Sequence, residues 1–357
     1  MTSPIISEAL KTLVERRDLT RIEAAAAMEA IMSGAATNAQ IAAFLTALRM
    51  KGETVEELIG FAQVMRQKAV RVRTRSAEAA TGLTGTDREM LIDTCGTGGD
   101  ASGTFNVSTA TAFVVAGAGL KVAKHGNRSA SSLCGSADVV ETLGVSLELT
   151  PQQVARCVDE IGIGFLYAPL LHTAMKHVMA ARREMGIRTV FNLLGPLTNP
   201  ASANAQVIGV AAAELTEPLA RVLAELGTLR AFVVHGADGL DEISNTGESR
   251  LSEVREGVVR SFTVRPDDFG LPQASIADLQ GGDRQQNADI IREILGGQPG
   301  PRRDIVLMNA AAALVAGGRA RDLKDGVAPA ARSIDSGAAQ DKLERLIALS
   351  RKLAEEK

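Results

Sequence analysis

The sequence contains little cysteine and few aromatic residues. Its 357 residues include 3 Cys, 1 Tyr, 9 Phe and no Trp. Because the cysteines are odd in number and never stand in CxxC spacing, they support neither a disulfide framework nor a zinc ribbon. This cysteine usage predicts a protein of the reducing cytoplasm.

A strong charge of one sign and long apolar runs are also missing. The formal net charge of -3 creates no field that would draw the chain onto nucleic acid or an anionic membrane. No apolar stretch approaches the roughly 20 residues of a membrane helix, and the first residues lack the pattern of a secretory signal. We therefore expect no nucleic-acid or membrane partner, and any anionic ligand must be held locally.

What is present favours a large α/β protein. The chain is 45% hydrophobic and has 34 glycines, and its length suits two domains. Early in the chain, Thr precedes Glu or Gln by three positions, which is the spacing of the capping box that begins a helix. The three pairs are Thr20 with Glu23, Thr37 with Gln40, and Thr54 with Glu57. They predict consecutive short helices, and the polar residues 71–89 after them predict a linker.

A βαβ unit follows the linker. Short apolar strands are expected at residues 90–93 and 120–123, with a helix of small residues over 107–117 between them. Further apolar runs that alternate with helical segments lie at residues 144–149, 205–210 and 231–234. The pattern predicts an α/β domain with a mainly parallel central sheet.

A glycine-rich loop follows the first of these strands. It contains Gly96-Thr97-Gly98-Gly99-Asp100, and its exposed backbone N–H groups before a helix favour an anion. The loop lacks both the Lys of a Walker A motif and the Rossmann glycine spacing, so a plain turn is the alternative. More short polar side chains stand nearby than capping needs, which favours phosphate binding. These are Thr104, Asn106, Ser108 and Thr109.

Two further loops carry polar residues directly after predicted strands. Residues 124–132 begin with Lys124-His125-Gly126-Asn127 and, in a parallel sheet, lie beside the glycine-rich loop. The Lys supplies a point charge for a phosphate, and the Asn and Ser residues supply neutral hydrogen bonds. Asp241-Glu242 follows the strand that ends in His235-Gly236. Paired carboxylates suit Mg²⁺ bound to a diphosphate, with a solvated acidic turn as the alternative.

Three other features have weaker chemical interpretations. Arg182 lies on an expected helix and could bind a carboxylate with two hydrogen bonds, although a solvated surface arginine is the alternative. His172 and His177 are five residues apart without a zinc motif, so the sequence does not favour a zinc site. Cys95 has no visibly paired base, which argues against a nucleophile.

Together, these motifs resemble the anthranilate phosphoribosyltransferases of tryptophan biosynthesis. The resemblance extends over about residues 5–350, nearly the whole chain. An ordered set of segments is far more specific than any single motif. The segments are residues 93–100, 106–109, 124–128, 135–138, 186–189, 192–200 and 241–242.

The resemblance implies a fold and an activity. A small helical domain of residues 1–72, completed by helices near 167–186, would be joined to a large α/β domain of residues 73–357. The enzyme would transfer the phosphoribosyl group from 5-phosphoribosyl 1-diphosphate to the amine of anthranilate, releasing diphosphate with the help of Mg²⁺. It would form a homodimer through the helical domain. A nucleoside phosphorylase of the same fold and a non-catalytic nucleic-acid-binding paralogue are the alternatives.

The resemblance also assigns site residues by position. Anthranilate would contact Gly96, Asn127 and Arg182, with Arg182 on its carboxylate. Mg²⁺ would be held by Ser108, Asp241 and Glu242. No general base is assigned, because the aromatic amine is already a neutral nucleophile and mainly needs positioning. The ribosyl diphosphate would be bound by Gly96, Gly99, Asp100, Thr104, Asn106, Val107, Ser108, Thr109, Lys124, His125, Gly126, Asn127, Arg128, Ser129, Ala130, Ser131, Ser132 and Ser136.

Overall fold

The computed structural model describes residues 2–75, 89–99, 102–129 and 133–356 of the chain. Most of the linker predicted at residues 71–89 lies outside these described residues. The same is true of four expected donor-binding residues, namely Asp100, Ala130, Ser131 and Ser132.

Short capped helices occupy the described residues before the linker. Helices α1–α4 span Pro4–Val14, Arg21–Met32, Asn38–Lys51 and Val55–Lys68. All three predicted capping boxes form, because each Thr hydroxyl accepts from the backbone N–H three residues on and that residue's side chain reaches back. Gly34 and Gly52 follow α2 and α3 with φ angles of 76° and 91°, a backbone region that favours glycine.

A seven-stranded sheet forms the centre of the described part of the remaining chain. Strands β1–β7 span Leu91–Gly96, Lys121–Gly126, Ile163–Tyr167, Ala205–Gly209, Arg230–Gly236, Ser249–Arg255 and Val258–Val264. The strand order is β3-β2-β1-β4-β5-β6-β7; β1 to β5 are parallel, and β6 and β7 pair antiparallel. Since the chain passes from β1 to β3 and returns on the other side of β1, the β1/β4 junction is the switch point where such sheets bind ligands.

Helices cover both faces of this sheet. Helices α5–α10 span Val107–Gly117, Ser136–Leu143, Pro151–Ile161, Ala168–Leu171, Lys176–Met185 and Phe191–Leu197. Helices α11–α15 span Thr216–Glu225, Arg284–Leu295, Pro301–Ala316, Leu323–Asp335 and Ala338–Glu355. Short 3₁₀ turns lie at Thr173–Met175, Ala213–Leu215, Pro266–Phe269 and Ile276–Leu279. No helix in the described ranges is long and apolar enough to cross a membrane.

The sheet separates two hydrophobic cores. Val207 and Phe232 belong to a core shared with α5, α13 and α15, whereas Ile208 and Val233 belong to a core shared with the N-terminal helices and α11. Alternate residues of β4 and β5 therefore face opposite cores, as the period of a strand requires. Helix α9 packs against α2 and α3. It lies within residues 167–186, whose helices are expected to complete the small helical domain. The domain boundary near residue 72 stays a prediction.

The predicted α/β fold with a mainly parallel sheet is confirmed, but two details differ. Residues 144–149 bury alternate side chains yet form no strand in the described structure. Their neighbour is helix α15 instead of another strand, and the Ser146 N–H donates to Ser350 Oγ at 3.0 Å. The sequence interpretation also missed β3 and the β6–β7 hairpin, whose edge strand β7 buries only one residue, Val264.

Candidate active site

The three predicted polar loops meet at the carboxyl ends of the parallel strands. The glycine-rich loop leaves β1 beside β4, and the Thr97 N–H donates to the Gly209 carbonyl at 2.8 Å. The Gly98 N–H donates to Asp241 Oδ2 at 3.0 Å, across 143 residues of sequence. The expected diphosphate loop and one of the expected metal carboxylates are therefore in direct contact.

Glycine is required where this contact forms. A side chain on Gly96 would collide with the Asp241 carboxylate, and one on Gly209 would collide with the Asp241 backbone carbonyl. Gly98 and Gly99 have φ angles of 62° and 75°, which other residues rarely adopt. The glycines thus let the loop pass close to the carboxylate and turn towards the switch point.

An arginine from a distant segment also holds this loop. Arg188 Nη1 donates to the Gly98 carbonyl at 2.6 Å. A side chain on Gly99 would collide with the same guanidinium. Arg188 lies in residues 186–189, one of the segments that carry the family resemblance. The sequence predicts no role for it, because a contact across 90 residues leaves no local pattern.

A buried pair of charges lies beneath the loop. Lys124 is 3% exposed and Asp93 fully buried, and the Lys124 ammonium donates to the Thr94 carbonyl at 2.5 Å and to Ser108 Oγ at 3.4 Å. Burial raises the pKa of Asp93 and lowers that of Lys124, while each charge pulls the other's pKa back towards the charged form. The ammonium of this lysine, which was expected to bind a phosphate, therefore contacts the Thr94 carbonyl and the Ser108 hydroxyl.

Asp93 is the centre of a buried hydrogen-bond network. Its Oδ1 accepts from the His125 N–H at 3.0 Å, and its Oδ2 accepts from Asn199 Nδ2 at 2.7 Å. Asn199 Nδ2 also donates to the Ala123 carbonyl at 2.9 Å. Asn199 therefore ties β1 to β2, a role that its position in a Thr-Asn-Pro turn did not reveal.

At the start of α5, the expected donor-binding residues differ in how far their side chains are buried. Ser108 is half-buried, whereas Val107 and Thr109 are buried in the core and could meet a ligand only through their backbone. Asn106 Nδ2 donates to the Cys134 carbonyl at 3.2 Å, so this amide helps to hold the chain before α6. Thr104 forms an isolated β-bridge with Gln280, and its hydroxyl shares a hydrogen bond of 3.1 Å with the Ser102 hydroxyl.

The loop after β2 is braced by α6. Arg128 pairs with Asp138 at 2.8 Å and Glu141 at 2.9 Å. These partners, Glu141 first, raise the pKa of Arg128. The Ser129 N–H donates to Asp138 Oδ2 at 3.2 Å, and the Asn127 carbonyl accepts from Ser136 Oγ at 3.4 Å. Hydrogen bonds therefore link Asn127 and Ser129 to the first residues of α6.

Two buried histidines lie side by side near the carboxyl end of β2. The ring centroids of His125 and His172 are 5.1 Å apart, and each Nε2 has no hydrogen-bond partner among the described residues. Burial lowers the pKa of His125 to about 3, with His172 and Lys124 acting in the same direction, and burial lowers the pKa of His172 to about 4. Both rings are neutral at pH 7, so neither can supply a positive charge to an anion.

Arg182 carries an unpaired charge in the described structure. Its guanidinium lies 5.4 Å from the centre of the Phe191 ring and has no ion pair or hydrogen bond to any other described residue. Burial lowers the pKa of Arg182. A desolvated guanidinium without a carboxylate partner is suited to bind one from a ligand.

The acidic pair fits a hard cation. Asp241 and Glu242 are half-buried, and the charges of both oppose the lowering of the Lys124 pKa by burial, so they act at the same place. In the described ranges, no three or more His, Cys, Asp and Glu are grouped to hold a metal by themselves. A magnesium site here would need the Ser108 hydroxyl and oxygens of a ligand as well.

Cys95 is placed as an inert thiol. Burial and the charge of Asp93 raise its pKa well above the usual range. A neutral thiol is a poor nucleophile, so the structure does not favour Cys95 as a nucleophile.

Comparison with known proteins defines the class of this two-domain fold. Residues 7–69 match the glycosyl transferase family, helical bundle domain, and residues 88–340 match the glycosyl transferase family, a/b domain. Anthranilate phosphoribosyltransferase of Symbiobacterium thermophilum is 56% identical over 347 residues, which are 97% of this chain and 98% of that protein. The chain belongs to the anthranilate phosphoribosyltransferase family, and the expected family is confirmed.

Solved structures agree with this membership. Anthranilate phosphoribosyltransferase from Thermus thermophilus superimposes with a TM-score of 0.88 at 42% identity, covering 96% of this chain and 99% of that one. The enzyme from Saccharomyces cerevisiae, in complex with PRPP and Mg, gives 0.86 at 29% identity and covers 99% of each chain. The same yeast enzyme in complex with 4-fluoroanthranilate gives 0.84 at 29% identity and covers 98% of each chain.

Proposed function

We propose that this chain transfers the phosphoribosyl group of 5-phosphoribosyl 1-diphosphate to the amine of anthranilate, the reaction of its family, at the switch point between β1 and β4. The observation that carries the proposal is the hydrogen bond between Gly98 of the diphosphate loop and Asp241 of the acidic pair. It brings amide donors and carboxylates together where a metal-bound diphosphate would lie. Neither alternative interpretation, the nucleoside phosphorylase or the nucleic-acid-binding paralogue, has a comparable observation in its favour.

The donor would be bound chiefly by backbone groups. The Gly98 N–H is already used by Asp241, so Gly99 and the following residues would supply the amides for the diphosphate. Ser108, Asn127, Ser129 and Ser136 surround the same edge of the sheet and would supply neutral donors. Lys124 would act from below, through its charge and its contact with Ser108.

The metal would be Mg²⁺, held by Asp241, Glu242 and the Ser108 hydroxyl. These hard oxygen donors suit Mg²⁺, which commonly completes its coordination with substrate phosphate oxygens. When bound, Mg²⁺ stabilises the negative charge of the leaving diphosphate. Asp241 would orient the diphosphate loop at the same time, because its Oδ2 accepts from the Gly98 N–H.

Anthranilate would be bound by Arg182, with Gly96 and Asn127 on the side of the donor. The unpaired guanidinium of Arg182 would take the carboxylate, and this fixes the direction of the amine. Because the aromatic amine is a neutral nucleophile at pH 7, the residues have to position it against C1 of the ribose and need not deprotonate it.

Catalysis would then come from charge stabilisation at the leaving group. Positive charge develops on the ribose as the bond to diphosphate breaks, and prepositioned amides and cations favour the departing anion. The neutral rings of His125 and His172 add no cation beside this developing charge. No residue is required to form a covalent intermediate.

A homodimer through the helical domain belongs to the same proposal. Large apolar side chains on the first three helices are exposed, with Val14 at 69%, Ile22 at 81% and Met50 at 73%. Exposed apolar side chains of this size would be covered if two copies of the helical domain packed against each other. Sedimentation of the full chain would measure whether two copies associate.

The function is tested by following the loss of anthranilate fluorescence with the ribosyl diphosphate and Mg²⁺. Consumption that requires all three components is the expected result. If the full chain at micromolar concentration consumes no anthranilate, the proposed function is wrong.

A further inference from the structure

The glycine-rich loop is held from two opposite directions. Asp241 of the β5–β6 connection accepts from the Gly98 N–H at 3.0 Å, and Arg188 of the segment after α9 donates to the Gly98 carbonyl at 2.6 Å. Arg188 forms no ion pair with any carboxylate among the described residues, and its guanidinium donates to the Gly98 carbonyl instead. A guanidinium used in this way has a positioning role instead of a charge-pairing one.

The segment that carries Arg188 is itself well fixed. Gly186 follows α9 with a φ of 61°, a left-handed conformation that ends the helix. The Thr189 N–H then donates to Asn192 Oδ1 at 3.0 Å, which caps the chain as it enters α10. Arg188 therefore reaches the loop from a short, anchored connection.

The same segment carries the proposed acceptor-binding arginine. Arg182 lies in the last turn of α9, six residues before Arg188, and α9 packs on the N-terminal helices α2 and α3. Arg182 faces the Phe191 ring just after the connection. One anchored stretch of chain thus joins the acceptor site to the diphosphate loop.

The bond from Arg188 also changes the donor strength of the loop. The Gly98 carbonyl and the Gly99 N–H belong to one peptide group, so a cationic donor on the carbonyl polarises that N–H. Gly99 can lie this close to Arg188 only because it has no side chain. The polarised N–H directly follows the Gly98 N–H, which donates to Asp241.

We infer that Arg188 is a positioning residue for the transfer reaction. It couples the segment that carries Arg182, the proposed anthranilate-binding residue, to the glycine-rich loop. It also makes the Gly99 N–H a stronger hydrogen-bond donor to the diphosphate. The inference rests on the proposed function for the identity of both ligands. It predicts that occupation of the acceptor site and occupation of the donor loop favour each other, because one arginine contacts the loop and shares a segment with Arg182.

The test compares Arg188→Gln and Arg188→Lys with the control Arg183→Gln. Arg183 is exposed on α9, so its replacement makes the same change of charge without touching the loop. For Arg188→Gln we expect the KM of the ribosyl diphosphate to rise about tenfold, as for loss of one charge-assisted hydrogen bond. Arg188→Lys should recover part of this loss, and Arg183→Gln should stay within about twofold of the parent.

A binding measurement separates this role from a general structural one. Calorimetry with inorganic diphosphate and Mg²⁺, with and without anthranilate, should show tighter diphosphate binding when anthranilate is present. This enhancement should fall towards unity in Arg188→Gln, while the thermal unfolding midpoint stays near that of the parent. A parent enhancement of unity, or one that Arg188→Gln leaves unchanged, overturns the inference. The proposed function fails separately, if the parent protein consumes no anthranilate in the turnover assay.

Discussion

Two half-buried arginines of this protein differ in their partners, and this difference makes a quantitative prediction. Arg66 Nε donates to the Leu197 carbonyl at 2.7 Å and its Nη1 to the Leu226 carbonyl at 3.1 Å. Arg182 has only the Phe191 ring among the described residues. Burial lowers the pKa of both, that of Arg66 to about 10. Arg66 is therefore a structural residue, whereas Arg182 is desolvated without compensation.

Replacing each arginine with methionine should separate stability from activity. In Arg66→Met the two carbonyls lose their donor, and the free energy of unfolding should fall by roughly 1–3 kcal/mol. In Arg182→Met the loss of about 0.5–1 kcal/mol from the aromatic contact is offset by removal of a poorly solvated charge. We therefore expect Arg182→Met to be as stable as the parent protein or more stable.

The activities should change in the opposite way. Loss of a bidentate, charge-assisted contact worth about 1.5–3 kcal/mol predicts a rise in the anthranilate KM of roughly 10- to 100-fold in Arg182→Met. Arg66→Met should leave that KM near the parent value. Anthranilate fluorescence at saturating ribosyl diphosphate gives the KM, and urea unfolding gives the stability. An Arg182→Met protein that is destabilised like Arg66→Met but has an unchanged anthranilate KM would refute this reasoning.

Three further predictions concern the metal, the buried network and pH. Asp241→Asn should raise the Mg²⁺ concentration for half-maximal turnover by at least about tenfold, and an unchanged titration contradicts the assignment. Asn199→Ala removes a donor from the buried Asp93 carboxylate and should cost roughly 2–3 kcal/mol in urea unfolding; a loss below about 0.5 kcal/mol would show that Asp93 does not need it. His125 and His172 have folded pKa values of about 3 and about 4. The unfolded chain takes up these protons below about pH 6.5, so stability should fall from there towards pH 4, and less steeply after replacement of both by Gln.

The parts of the fold that local chemistry determines were predictable from the sequence. The helix expected over residues 107–117 spans Val107–Gly117, and all three early capping boxes form. A cap depends on residues three positions apart, and a helix of small residues depends on composition within a few turns. Residues 144–149 show the limit of such patterns. Their alternating burial is that of a strand, but helix α15 and not another strand lies beside them.

The site was predictable as a set of loops and not as a set of contacts. An expected parallel sheet predicts that the segment beginning at Lys124 lies beside the glycine-rich loop, whereas the contact of Asp241 with that loop is seen only in the structure. The contacts of Arg188 with Gly98 and of Asn199 with Asp93 span 90 and 106 residues, and neither leaves a periodic signal. Such pairs can be assigned only when the packing of the helical segment against the sheet is known.

The burial of Lys124 changes how its positive charge can act on a ligand in the proposed site. As an exposed cation it would neutralise part of an incoming diphosphate, but its buried ammonium donates to the Thr94 carbonyl. Burial lowers its pKa, and the charges of Asp93, Asp241 and Glu242 oppose this shift. Three carboxylates thus act on one lysine before any ligand binds, and a bare diphosphate would add further negative charge. Under the proposed function, this balance of charges would favour a donor that binds together with Mg²⁺ at Asp241 and Glu242.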